Sequence, residues 1–136
     1  MKTISTQSAP AAIGPYSQAI ITDSASSLLF TSGQIPLSPE TGNVIEGGIK
    51  PQTEQVMRNI GAVLAAAGCE FSDVIKTTCF LTNMQDFADF NEIYSKYFVG
   101  DSKPARSCVA VAALPRSVSV EVEVIAKAKS EGGKSE

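Results

Sequence analysis

The sequence contains no histidine, and that absence removes the commonest general base and the commonest metal ligand together. Ser-His-Asp, Cys-His and His-zinc chemistry are excluded, and so is a zinc deaminase, which needs an H-x-E element and P-C-x-x-C, neither of which is present. Any acid–base step falls to Glu, Asp, Tyr, Cys, Lys or a bound water. Cysteine is scarce: Cys69, Cys79 and Cys108 are odd in number, far apart and without CxxC spacing. That pattern argues against a disulfide framework and a structural zinc site, and for reduced thiols in the cytosol. Excess positive charge is lacking too. With a formal net charge of −3 and a pI near 5.0, the chain has no basic footprint for a phosphate backbone, so nucleic acid is not the expected partner. No stretch approaches the roughly 20 apolar residues of a membrane span, and the opening MKTISTQSAP has no apolar leader core. The expectation is a cytoplasmic protein with no membrane partner.

What is present suits one globular domain, because 136 residues with 43% hydrophobic composition can bury one modest core. The expected domain is 1–129, with a polar, disordered tail at 130–136. Residues 2–6 read as a short strand, and 17–22 and 27–34 as two strands of a hairpin around the polar turn 23–26. Residues 36–48, with a Pro39-Glu40-Thr41-Gly42 turn, form a loop leading into a helix whose first turn holds Pro51. Val56, Ile60, Val63, Leu64 and Ala67 give that helix one apolar stripe, stopped at Gly68. Residues 74–81 alternate as a strand, Ile75, Thr77, Cys79 and Leu81 facing one way and Val74, Lys76, Thr78 and Phe80 the other. Phe87, Phe90, Ile93, Tyr94, Tyr97 and Phe98 form the stripe of a second helix, read as core. Residues 105–111 and 118–127 read as an antiparallel pair joined through Leu114-Pro115-Arg116. The order β-β-β-α-β-α-β-β predicts an α+β fold, a two-layer mixed sheet with two helices on one face. Leu28, Phe30 and Ile125 put apolar residues on the other face, which predicts that another subunit covers it.

The candidate chemistry lies in the last two strands. Val118, Val120, Val122 and Val124 point one way, leaving Ser119, Glu121, Glu123 and Ile125 on the other side. Matching apolar faces in an antiparallel pair then puts Arg106 and Cys108 with the glutamates, Arg106 opposite either Glu121 or Glu123. Spacing alone is compatible with a solvated cross-strand ion pair. If a second subunit covers the face, the guanidinium becomes instead a partly desolvated anion receptor with a carboxylate beside it.

Pro104-Ala105-Arg106-Ser107-Cys108-Val109, then Ala113-Leu114-Pro115 and Val120-Glu121-Val122-Glu123, resemble the signature of the reactive imine deaminase family, formerly YjgF, parts of which carry the label endoribonuclease L-PSP. The resemblance runs through Ile13-Gly14-Pro15-Tyr16-Ser17-Gln18-Ala19, Thr31-Ser32-Gly33-Gln34-Ile35-Pro36, Val74-Ile75-Lys76-Thr77-Thr78 and Phe90-Asn91-Glu92-Ile93-Tyr94. It implies a chorismate-mutase-like fold and a homotrimer with active sites between subunits. The implied reaction is hydrolysis of small 2-imino acids such as 2-iminobutanoate and 2-iminopropanoate to 2-keto acids and ammonia, with no cofactor and no metal. By the same resemblance Arg106 binds the substrate carboxylate, Glu121 orients the water, Tyr16 is a site tyrosine, and Cys108, Ser32, Gly33 and Asn91 line the cleft. The family's other label implies cleavage of single-stranded RNA, and a non-enzymatic chaperone is a third reading. One departure is Lys103, where an aromatic often precedes Pro-Ala-Arg, which predicts an altered cleft entrance.

Overall fold

The structure, a computed structural model, describes residues 1–9, 11–23 and 27–128. The expected tail at 130–136 and most of the turn at 23–26 lie outside those residues. The elements follow the predicted order: β1 (Lys2–Ile4), β2 (Ala19–Ile21), β3 (Ser27–Phe30), α1 (Ile49–Ala66), β4 (Val74–Leu81), α2 (Phe87–Tyr94), β5 (Ala105–Ala110) and β6 (Val120–Ala128). The predicted α+β architecture is found, two helices on one face of a mixed four-stranded sheet of order β3-β6-β4-β5.

The sheet centre follows from side-chain size and alternation. Val120, Val122, Val124 and Ala126 of β6 are fully buried together with Cys79 and Leu81 of β4, so these two strands take the central positions. Against them α1 packs Val56, Met57, Ile60 and Leu64, and α2 packs Phe90 and Tyr94. α1 begins with Pro51 in its first turn, where a missing N–H costs nothing. It ends before Gly68, whose φ of +75° suits the residue without a Cβ. The stripe stops one turn early, because Ala67 is exposed beyond the last helical residue. The second helix also differs from expectation. Its α-helical part ends at Tyr94, and a 3₁₀ turn at Ser95–Tyr97 carries the chain on so that Phe98 still reaches the core.

Three strand assignments change. The hairpin expected from 17–22 and 27–34 does not form: β2 pairs antiparallel with β1 in a separate two-stranded sheet, and β3 pairs antiparallel with β6. The hairpin of the last two strands does not form either. β5 pairs parallel with β4, and β6 enters antiparallel between β3 and β4. The physical reason is burial: β6 hides a side chain at every second position and must be central, whereas β5 carries Arg106 and Ser107 and fits an edge. The β4-α2-β5 segment is the helical crossover that parallel neighbours require. Lastly, a register shift between Val74 and Lys76 turns Val74 to the buried side, away from the face shared by Lys76, Thr78 and Phe80.

The sheet face away from the helices carries Leu28, Phe30, Phe80, Val109 and Ile125, around Thr78, Glu121 and Glu123. Phe30 is 67% exposed and Val109 45%. The apolar open face expected from Leu28, Phe30 and Ile125 is therefore present in the protomer.

Candidate active site

The site is built at the start of β5. Lys103 Nζ donates to the carbonyl oxygens of Phe98 at 3.0 Å and Gly100 at 2.9 Å, which clamps the chain between α2 and β5. The cation expected to alter a cleft entrance is thus spent on the carbonyls that follow α2. Next, Ser17 N donates to the Pro104 carbonyl at 3.0 Å, Ser17 Oγ donates to the Lys103 carbonyl, and Ser17 bridges Ala105 in parallel fashion. These bonds lay the Gly14-Pro15-Tyr16 loop alongside β5 and bring Tyr16 to Arg106. Gly14 sits close to both: a Cβ there would lie 3.3 Å from the Tyr16 ring, a tight contact, and 3.8 Å from Arg106 Nη2, an ordinary one.

Arg106 pairs in register with Thr77, which is buried under the helices, so the guanidinium points to the helix side of the sheet. There Nη1 donates to Asn91 Oδ1 at 2.6 Å. The guanidinium carbon lies 4.8 Å from the Tyr94 ring centroid, 5.4 Å from Phe87 and 5.9 Å from Tyr16, within the range of cation–π attraction. Tyr94 is fixed from behind by a 2.8 Å hydrogen bond between its hydroxyl and Thr77 Oγ1. Both hydroxyls are buried, where leaving either one unpaired costs about 1–3 kcal/mol. Burial, and next the nearby Cys79 sulfur, hold the Tyr94 phenol well above its usual range, so it stays neutral beneath the cation. No carboxylate pairs with Arg106 among the described residues. Cys108, two residues on and on the same face, lies in register with Cys79. A hydrogen bond with the Cys79 thiol holds the Cys108 thiol below its ordinary value; burial opposes this, and Arg106 adds to it.

Glu121 is elsewhere. It pairs with Phe80 on the open face, while its neighbours Val120 and Val122 are buried on the helix side. One strand, β4, separates it from β5, and the sheet lies between it and the guanidinium. The expectation that Arg106 and Cys108 share a face with Glu121 and Glu123 is corrected here: it rested on a β5-β6 hairpin, and β4 stands between those strands. Glu121 has its own companions. Thr31 N donates to the Val124 carbonyl at 3.0 Å, and Gln34 and Val122 exchange backbone bonds of 2.8 and 3.1 Å. The strand segment therefore uses one residue more than β6 between its two anchor points, a bulge at Ser32-Gly33. A Cβ on Gly33 would fall on the Glu121 carboxylate, so glycine is what lets that side chain lie over the bulge.

Of the seven candidate residues, the protomer thus gathers Tyr16, Asn91, Arg106 and Cys108 in one cluster, and Ser32, Gly33 and Glu121 in another. Gly14, Phe87, Tyr94 and Thr77 are additions to the first. Their signal was present: Phe87, Asn91 and Tyr94 stand at i, i+4 and i+7 on one helix face, although the aromatics there read as core alone. Among the described residues no group of three or more histidine, cysteine, aspartate or glutamate side chains could hold a metal ion. The first cluster offers a fixed, planar cation between aromatic walls, suited to a small planar anion.

The family model described as endoribonuclease L-PSP matches residues 6–128. A RutC family protein of Pyrococcus horikoshii is 53% identical over 125 residues, 92% of this chain and 96% of that protein. The 2-iminobutanoate/2-iminopropanoate deaminase of Mus musculus is 50% identical over 125 residues, 92% of this chain and 90% of the mouse protein. Among solved structures, E. coli TdcF with bound serine superposes with a TM-score of 0.71 at 44% identity, covering 95% of this chain and all of TdcF. With a fold, a signature and a full-length likeness in agreement, the chain belongs to the endoribonuclease L-PSP family.

Proposed function

We propose that the protein is a metal-independent deaminase that hydrolyses 2-iminobutanoate and 2-iminopropanoate to the corresponding 2-keto acids and ammonia. The observation that carries this reading is Arg106: a guanidinium held by Asn91 and three aromatic rings, with no acidic partner among the described residues. A site of that kind gains most from an external carboxylate. The identity to the mouse deaminase supports the choice of substrate.

The chemistry asks little of the protein. A protonated imine is a good electrophile, so the enzyme holds the carboxylate, directs a water at the C=N carbon and moves one proton. In this reading Arg106 binds the carboxylate, Tyr16 and Asn91 wall and orient it, and Cys108 lines the floor. Glu121 takes a proton from the attacking water and returns it to the nitrogen; as the C–N bond breaks and ammonia leaves, the hydroxyl gives up its remaining proton to solvent and the keto group forms, with Ser32 and Gly33 beside the glutamate. Since Glu121 lies across the sheet from Arg106 in one protomer, the glutamate half comes from a second copy. A head-to-tail contact of that type closes into a ring, and a homotrimer is the ring the family signature implies. The open apolar face with Phe30, Phe80 and Val109 supports burial against a neighbour. The reading includes a cytosolic location, in keeping with three cysteines that are odd in number and without CxxC spacing. No helix among the described residues is long and apolar enough to cross a membrane.

The test is to add the pure protein to an imine-generating amino acid oxidase or threonine dehydratase reaction and follow keto-acid release. Faster release, unchanged by chelators, is the expected result. No acceleration, together with cleavage of single-stranded RNA by the same protein, would replace the deaminase reading with the ribonuclease that the family's description names.

A further inference from the structure

The proposed hydrolysis gives Cys108 only a lining role and Cys79 none, yet the fold sets the two against each other. Cys79 on β4 and Cys108 on β5 are register partners on parallel strands, on the same helix-facing side. Neighbouring strands lie about 4.8 Å apart, inside the Cα separation a disulfide spans. The two side chains therefore face each other across the strand pair, and both cysteines are free. Their settings differ in a consequential way. Cys108 is partly exposed beside the Arg106 guanidinium, whereas Cys79 is 0% exposed, with Thr77 Oγ1 at 3.9 Å as a second polar neighbour. Burial and the Cys108 contact push the Cys79 thiol up, so it remains protonated while Cys108 has the greater thiolate character. A partly exposed thiol next to a cation, backed by a buried thiol at the neighbouring register position, is the arrangement of an attacking and a resolving cysteine.

We propose that Cys108 and Cys79 form a peroxide-oxidisable dithiol, a modification site at which hydrogen peroxide produces a reversible Cys79–Cys108 disulfide beside Arg106. In the first step the Cys108 thiolate attacks one oxygen of the peroxide. The O–O bond breaks, hydroxide leaves, and the sulfur gives up two electrons to become a sulfenic acid. In the second step the Cys79 sulfur attacks the Cys108 sulfur, an S–S bond replaces the S–O bond, and the Cys79 proton leaves with the hydroxyl group as water. Adjacent register positions on parallel strands hold their Cβ atoms at about the strand spacing, wider than a relaxed disulfide prefers, so the product is readily reduced. The thiol chemistry stands without the proposed deaminase. Only its consequence, an Arg106 cluster altered by oxidation, rests on that reading.

The experiment treats the full chain with hydrogen peroxide, alkylates remaining thiols in denaturant and maps the peptides by mass spectrometry. The expected result is a Cys79–Cys108 link within one chain, loss of two of the three thiols with Cys69 still alkylated, and full recovery with dithiothreitol. In Cys79→Ser, whose hydroxyl can still reach Thr77, the Cys108 sulfenic acid should be trapped by dimedone and, untrapped, proceed to sulfinic acid. In Cys108→Ser, Cys79 should stay reduced. Wild-type Cys108 ending as sulfinic acid with Cys79 reduced would overturn the proposal. So would a link between two chains, or three unreacted thiols at a peroxide dose that oxidises free cysteine. Imine hydrolysis, followed in parallel, should fall as the disulfide forms and return on reduction. A disulfide that forms without such a fall would remove the regulatory consequence, and the peptide map reads the thiol step even if no imine is hydrolysed.

Discussion

Arg106→Ala is expected to lower kcat/KM for imino-acid hydrolysis on the order of 100-fold or more, and Arg106→Lys nearly as much, with both variants folded by circular dichroism. The lysine result is the informative one. An ammonium keeps the charge but is a point donor on a flexible stem, whereas the guanidinium presents parallel donors that fix the plane of a carboxylate. Here that plane is set by named groups: Asn91 holds Nη1 at 2.6 Å, and Tyr94, Phe87 and Tyr16 stand around the guanidinium. Lysine would lose the bidentate fork and the stacking together. The carbon attacked by water is bonded to that carboxylate, so a rotated substrate stays bound but misaligned. If Arg106 served only stability, both variants would hydrolyse imines normally, since a half-exposed polar contact at a sheet edge contributes about 1 kcal/mol.

Glu121→Gln is expected to reduce kcat by on the order of 100-fold with KM little changed, the range typical of a lost general base. The amide keeps the shape that fits over Gly33, and Phe80 remains its strand neighbour, so folding and assembly should survive. What is lost is the capacity to accept a proton from water. Separate kcat and KM values check this: an effect on KM alone would make Glu121 a substrate contact, and no effect would move the proton to Glu123 or to backbone groups.

Much of this fold can be read along the chain because each element carries its own periodicity. The valines at 118, 120, 122 and 124 are buried as a set, and the α1 stripe of Val56, Ile60 and Leu64 meets them. Periodicity says which side chains share a face, not which strand lies next door. That is why 105–111 and 118–127 read as a hairpin, and why Arg106 is expected opposite Glu121 or Glu123. Burial at every second residue of β6 drew it to the sheet centre, and β4 came between. The two clusters were each visible as motifs, Arg106 with Cys108 and Ser32 with Gly33, but their placement on opposite sides of the sheet depends on strand order. Phe87 and Tyr94 were legible as apolar and not as site residues, because one ring can close the core and face a cation together. The Cys79–Cys108 pairing could not be read from sequence either, since it exists only through the parallel register of β4 and β5.

The central claim is that one catalytic site is assembled from the Arg106 cluster of one subunit and the Glu121 cluster of another. Its most direct test is to mix Arg106→Ala and Glu121→Gln subunits, each inactive alone, by joint unfolding and reassembly, and to measure imino-acid hydrolysis. In a ring with one cluster of each kind at every contact, equal random mixing makes about one site in four wild type at both positions, so hydrolysis should return to about a quarter of the wild-type rate. Mixed assemblies as inactive as the two parents would contradict the account.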